Sequence, residues 1–125
     1  MLMRLQAQGG RKVIFEHPTS ELSFKFVKQL REFMDSGGFV ALDIDQCVFG
    51  LVSPRDHIPL KKATLVLANL QELKPCLRGR KCHGGHRHRP IQGSEGGVSL
   101  SKHAQIYPES LCKVFAQAIA EQARR

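Results

Sequence analysis

Short apolar runs flank one strongly amphipathic segment in the first half of the chain, a rhythm of strand, helix and strand. Val13-Ile14-Phe15 is a compact apolar run within residues 12–16, as expected of a strand buried on both faces. Glu16-His17-Pro18 closes it, because proline brings no backbone donor. Beyond Pro18, Leu22, Phe26, Leu30 and Phe33, with Val27 and Met34, recur at the spacing of one helix face. Thr19 or Ser20 stands where a cap is needed, Glu21 suits the positive end of the dipole, and Gly37-Gly38 ends the helix. This stripe reads as core packed against a sheet and not as a platform for stacked bases. Residues 39–44 form a second apolar run leading into Asp45-Gln46-Cys47, and residues 64–68 a third, closed by Asn69.

The second half is less regular. Ser53-Pro54-Arg55-Asp56 and Pro59 mark a loop rich in turn formers, and residues 70–74 suit a single helical turn. From 75 to 101 glycine, histidine and arginine dominate and no period survives, which predicts a long ordered loop or a metal-organised knuckle. Gly93-Ser94-Glu95-Gly96-Gly97 lacks the lysine and hydroxyl of a phosphate loop and reads as a flexible turn. Pro108 opens a last helix with Leu111, Val114, Phe115, Ala118 and Ile119 on one face and Arg124-Arg125 at its negative end. The predicted fold is α/β: a truncated Rossmann-like sheet of three to four strands, two main helices and a basic Cys/His-rich loop.

With 125 residues the chain is at most one domain. Nineteen Lys and Arg against eleven Asp and Glu give a net charge of +8. Much of the excess lies in residues 74–89, with Lys74, Arg78, Arg80, Lys81, Arg87 and Arg89. Such a cluster suits a polyanion, DNA or RNA, because each neutralised phosphate releases counterions. A solvated basic loop is the other reading. No apolar segment is long enough for a signal peptide or a membrane span, so the expectation is an intracellular protein, of nucleus or cytoplasm, not secreted. Cysteines 47, 76, 82 and 112 are then expected to be reduced.

Reduced cysteines beside histidines suggest metal. Cys76-x5-Cys82-His83-x2-His86-x-His88 offers thiolate and imidazole, the preferred ligands of zinc, within a segment too glycine-rich to fold by itself. Cys76, Cys82, His86 and His88 form the expected set, with His83 or His103 as substitutes, and the expected role is structural. A basic loop ordered only by a partner remains the alternative. An open catalytic site would need a neighbouring base, for which only Glu95 is placed.

Glu16-His17-Pro18, Asp45-Gln46-Cys47-Val48-Phe49-Gly50 and Lys61-Lys62-Ala63-Thr64, followed by Cys82-His83-Gly84-Gly85-His86-Arg87-His88 and Tyr107-Pro108-Glu109-Ser110-Leu111-Cys112, form an ordered series. From residue 12 to the end it resembles the carboxyl-terminal part of cytosine DNA methyltransferase-like domains, of the type found in phages and retroelements. The resemblance implies that Glu16 holds the ring-nitrogen edge of a flipped cytosine and stabilises its protonated form. It implies that Lys61 and Lys62 contact DNA phosphate. Arg78, Arg80, Lys81, Arg87 and Arg89 are added as nucleic-acid-binding residues from the charge cluster.

Two departures bear on activity. His17 stands where the family has asparagine, and residues 1–11 contain neither a glycine-rich cofactor loop nor the nucleophilic Pro-Cys. Cys47 has no cationic neighbour in sequence and reads as packing, not as a substitute nucleophile. The expectation is therefore a partial methyltransferase-like domain from a mobile-element-type gene. It would be inactive alone and would use S-adenosylmethionine only with a separate amino-terminal methyltransferase half. Its parts would be a flexible tail (1–11), the half-domain (12–74), the Cys/His loop (75–106) and the last helix (107–125). A zinc-stabilised nucleic-acid-binding module and a non-functional gene fragment are the alternatives.

Overall fold

The computed structural model describes residues 10–19, 24–35 and 38–124. The expected helix-start residues Ser20, Glu21 and Leu22, Gly37, most of the tail 1–11, Arg125 and the side chain of Phe33 lie outside what is described. Among the described residues ten elements follow in order. They are β1 (Ile14–Pro18), α1 (Phe24–Asp35), β2 (Val40–Asp45), a 3-10 turn (Gln46–Phe49), β3 (Ala63–Ala68) and α2 (Leu73–Leu77). A small hairpin of β4 (Ser94–Glu95) and β5 (Val98–Ser99) comes next, then α3 (Leu100–His103) and α4 (Glu109–Ala123).

The fold is mixed α/β, with a three-stranded sheet in the order β1-β3-β2. β3 is antiparallel to both neighbours, so β1 and β2 run in the same direction without touching. The sheet is thus not a run of adjacent parallel strands. The cause lies between β2 and β3, where the chain doubles back as an arm: Val52 pairs with Pro59, and Ser53 N–H donates to the Ile58 carbonyl at 2.9 Å. A chain that reverses in this way returns beside the strand it left, which is an antiparallel connection.

Register assigns the faces. Ile14, Ala68 and Val40 lie abreast, as do Glu16, Val66 and Leu42, and Pro18, Thr64 and Ile44. Paired residues share a face, so this face carries the main core. Leu73 and Leu77 of α2 and Leu111 and Ala118 of α4 cover it, with Val114 and Phe115 packed at the edge. Ile119, expected on the same stripe, is 49% exposed while Ala118 beside it is fully buried, because one residue along a helix turns the side chain about 100° away from the covered face. On the other face, the ring of Phe26 in α1 packs against Phe15 and His17, with centroids 5.7 and 4.4 Å away.

β1 ends two residues beyond the expected strand of residues 12–16, so Glu16 is mid-strand and not at a strand end. Pro18 is tolerated as the last residue of an edge strand, where no donor is required of it. Asn69 fixes the other end. Its side-chain oxygen accepts from Val13 N–H at 2.6 Å, and its amide nitrogen donates to the Arg11 carbonyl at 2.8 Å. Leu51, Leu60 and Ala104 form a second small core with Ile91 against it.

Candidate metal centre and basic face

The end of β2 organises the site. Ile44 is fully buried and fixes the strand, and Asp45 beside it docks the Cys/His segment. Its backbone N–H donates to the Arg80 carbonyl at 3.0 Å, while its carboxylate accepts from Cys82 N–H at 2.7 Å. The chain then winds into the 3-10 turn that carries Cys47. Gly50 closes this turn in the left-handed region (φ 90°), with its N–H donating to the Cys47 carbonyl, a conformation that costs other residues free energy. The Ser110 hydroxyl at the start of α4 donates to the Phe49 carbonyl at 2.6 Å and pins the turn from the far side.

A third segment seals the arrangement. Gln46 N–H donates to the Lys62 carbonyl, Lys61 N–H to the Arg89 carbonyl and Arg89 N–H to the Pro59 carbonyl. His88 is thereby carried to the same place as Cys47 and Cys82. Gly84 and Gly85 (φ 80° and 79°) let the chain curl between Cys82 and His86.

Four donor atoms converge as a result. Cys82 Sγ lies 3.1 Å from His86 Nε2 and 3.5 Å from His88 Nε2, and His88 Nε2 lies 3.5 Å from Cys47 Sγ. All four ligand atoms, of Cys47, Cys82, His86 and His88, are within 4.8 Å of one another. A tetrahedron with metal bonds of about 2.0–2.3 Å has edges of roughly 3.3–3.8 Å. The three contacts of 3.1–3.5 Å are close to that spacing. The cluster can hold a metal ion.

This corrects the expected ligand set. Cys82, His86 and His88 belong to the cluster, but Cys76 does not. It sits in α2, where its carbonyl accepts from Arg80 Nε at 3.3 Å. Cys47 takes the fourth place, being carried there by β2. Of the substitutes, His83 is exposed, and His103 Nε2 is 2.7 Å from the Val52 carbonyl, tying α3 to the arm. Glu95 is no free base. It is buried in the hairpin and accepts from Arg55 N–H and Asp56 N–H at 2.8 and 2.6 Å, with the Arg89 guanidinium on its other oxygen. Burial alone would raise its pKa, but the two amides, the Ser53 hydroxyl and Arg89 together hold it below its ordinary value. The expected flexible turn is thus a β-hairpin anchored by a carboxylate.

Metal-free, the Cys47 thiol is pushed up to about 11 by burial first, then by hydrogen bonding to and the charge of Cys82, and by Asp45. A cation would reverse that balance, since a coordinating thiol loses its proton.

The basic residues divide into two groups. Lys81 lies 3.4 Å from Asp43 and 3.6 Å from Asp45, Arg89 pairs with Glu95, and Arg80 lies over the Phe49 ring at 5.7 Å. Lys62 Nζ donates to the Ala104 carbonyl at 2.6 Å. Lys61, Arg78 and Arg87 are exposed and have no carboxylate partner among the described residues. These three hold charge available to a phosphate.

Glu16 lies apart from the metal cluster. It lines a cavity of about 620 Å³ with Pro18, Lys61, Lys62, Gln92 and Gln105. Its Oε2 is buried without a partner. The Tyr107 hydroxyl is pushed up to about 12, by burial first and then by the nearby Glu16 carboxylate. A second cavity, of about 260 Å³, is lined by Asp45, Cys47, Cys82 and His88 with the same two lysines.

No protein-family model matches the chain, and neither the curated proteins nor the solved structures contain a match. Among the described residues no helix is long and apolar enough to cross a membrane.

Proposed function

We propose that this chain is a nucleic-acid-binding module whose basic loop is organised by a structural zinc ion. The convergence of Cys47, Cys82, His86 and His88 carries the reading. Two thiolates would neutralise a divalent cation, and a four-donor set of two sulfurs and two imidazole nitrogens is the ligand chemistry of zinc. His86 Nδ1, 3.4 Å from the Arg87 carbonyl, gives one imidazole an outer partner. Cys47, Cys82, His86 and His88 would supply four protein ligands, the complement of a structural zinc site, whose role would be to hold the loop. Lys61, Arg78 and Arg87, exposed and without carboxylate partners among the described residues, would then meet phosphates.

Anisotropy of labelled DNA and RNA oligonucleotides, with and without zinc, tests this. Binding should weaken steeply with salt and be lost on chelation. Affinity that ignores both salt and chelator rejects the proposal.

A second reading, the partial cytosine-methyltransferase-like domain, is favoured by one observation. A carboxylate with an unpartnered buried oxygen stands in a cavity rimmed by two lysines, and the cavity is within the range that accommodates a small ligand such as a nucleobase. On this reading a duplex with an unpaired cytosine binds more tightly than a matched one, and Glu16→Gln removes that increment alone. Labelled methyl transfer from S-adenosylmethionine by these 125 residues is not expected, since they contain no glycine-rich cofactor loop and their one Pro-Cys, Pro75-Cys76, follows Glu16 where the family's precedes the glutamate. Equal affinity for the two duplexes defeats the second reading and leaves the first untouched.

A further inference from the structure

We infer that the metal centre is also a thiol switch, in which a hydroperoxide joins Cys47 to Cys82 and frees the basic loop; this rests on the zinc reading above. The two cysteines belong to separate parts of the fold. Cys47 is on the turn after β2 and Cys82 is in the loop, yet their sulfurs lie within 4.8 Å of each other. Both are half-buried and free. Gly84 and Gly85 bring no side chain to cover Cys82, and His86 beside it is exposed. A small peroxide therefore has access to a sulfur that is held next to a second sulfur.

The step balances as follows. The Cys82 thiolate attacks one peroxide oxygen, the O–O bond breaks, and a sulfenic acid and hydroxide result. The Cys47 thiolate then attacks that sulfur and expels the second hydroxide. Two protons supplied by the buffer convert both hydroxides to water. Two thiolates have been oxidised by two electrons, hydrogen peroxide has been reduced to two waters, and the ion is left with two imidazoles.

Two neutral imidazoles bind zinc far more weakly than the complete set, so the ion leaves. The consequences for the loop are unequal. Asp45 still docks Cys82 through its backbone amide, and the new S–S bond replaces the metal link between β2 and residue 82. His86 and His88 lose their anchor, and Arg87 lies between them. Oxidation should thus detach the nucleic-acid contact at Arg87 while leaving the junction of sheet and loop closed.

The test uses the full chain loaded with zinc and treated with hydrogen peroxide. Zinc release is followed with a chromogenic chelator, free thiols by titration and the linkage by peptide mass mapping. The expected result is release of the bound zinc, loss of two of the four thiols, a linked Cys47–Cys82 peptide, and reversal by dithiothreitol with added zinc. Cys76→Ser with Cys112→Ser should behave identically. Zinc retained while other thiols oxidise, or a linkage that excludes Cys47 or Cys82, overturns the switch and leaves the zinc reading standing. A chain that binds no zinc overturns both.

Discussion

Two regions of this molecule are ordered by different physics. The sheet face under α2 and α4 is held by aliphatic packing: Ile44, Val66, Leu73, Leu77 and Leu111 are essentially inaccessible to water. The segment from Arg80 to Arg89 buries no side chain fully. It is placed instead by directional contacts: Asp45 on Cys82, the Arg89 backbone on Pro59 and Lys61, and four donor atoms around one point. The first region is stable because many weak contacts add up, so each loss is partial. The second depends on a few contacts of defined geometry, and losing one of them should act on the whole segment.

The sharpest break in that comparison is removal of one ligand. Cys82→Ser should lower zinc affinity by at least about 100-fold. Hydrogen exchange should show residues 80–92 losing protection while β3 keeps its own. Cys76→Ser should change neither quantity. If the two variants behave alike, the cluster is not the metal site.

The next largest effect belongs to the packed region. Leu111→Ala should cost about 2–5 kcal/mol, read from denaturant unfolding, because Leu111 is 1% exposed and the sheet cannot collapse onto the gap. Zinc stoichiometry should stay unchanged. A Leu111→Ala protein that keeps its stability but fails to bind zinc would mean that the two regions do not divide as described.

How far this division was legible in the sequence follows from the same physics. Apolar runs mark β1, β2 and β3 to within two residues, since periodic burial is local information. The antiparallel placement of β3 is not local. It depends on the Val52–Pro59 arm, whose cue is a cluster of turn formers with no strand period. Cys82, His86 and His88 are close in sequence and read as one ligand group. Cys47 reads as packing because no cation adjoins it in sequence, and its partners are brought to it by non-local contacts, Asp45 on Cys82 and the backbone bonds of Gln46, Lys61 and Arg89. One signal was present: Cys47 directly follows a strand end, where site residues concentrate in α/β folds. Glu95 was hidden for the same reason, as its partners Arg55 and Asp56 come from the distant arm.

A smaller effect concerns that hidden carboxylate. Glu95 has its pKa held below the ordinary 4.5, so its ionised form is the one the fold prefers. The stability it provides is present above that ordinary value and is lost as pH falls through the lower folded value. Thermal melts between pH 3 and 6, with chelator present so that metal loss does not contribute, should show Glu95→Gln melting lower at pH 6. The two proteins should converge toward pH 3. A constant gap across this range would mean that Glu95 does not act through its charge.

The smallest effects test which basic residues face a phosphate. Every cation near the site raises the local potential, but a counterion is released only where a charge meets DNA closely. Lys81 is held between Asp43 and Asp45, and Arg89 is held by Glu95, so either would have to leave a partner to make that contact. Lys61 and Arg87 would not. Lys61→Ala and Arg87→Ala should each reduce the slope of log affinity against log salt by about 1. Lys81→Ala should leave the slope near its original value, because the carboxylates it exposes act on the potential without adding or removing a phosphate contact. If Lys81→Ala removes as much slope as Lys61→Ala, the ion pairs open on binding, and the basic face is a mobile cloud of charge with no selected set of contacts. If neither changes it, the phosphates lie elsewhere, and Arg78 on the rim beyond α2 is the residue to remove next.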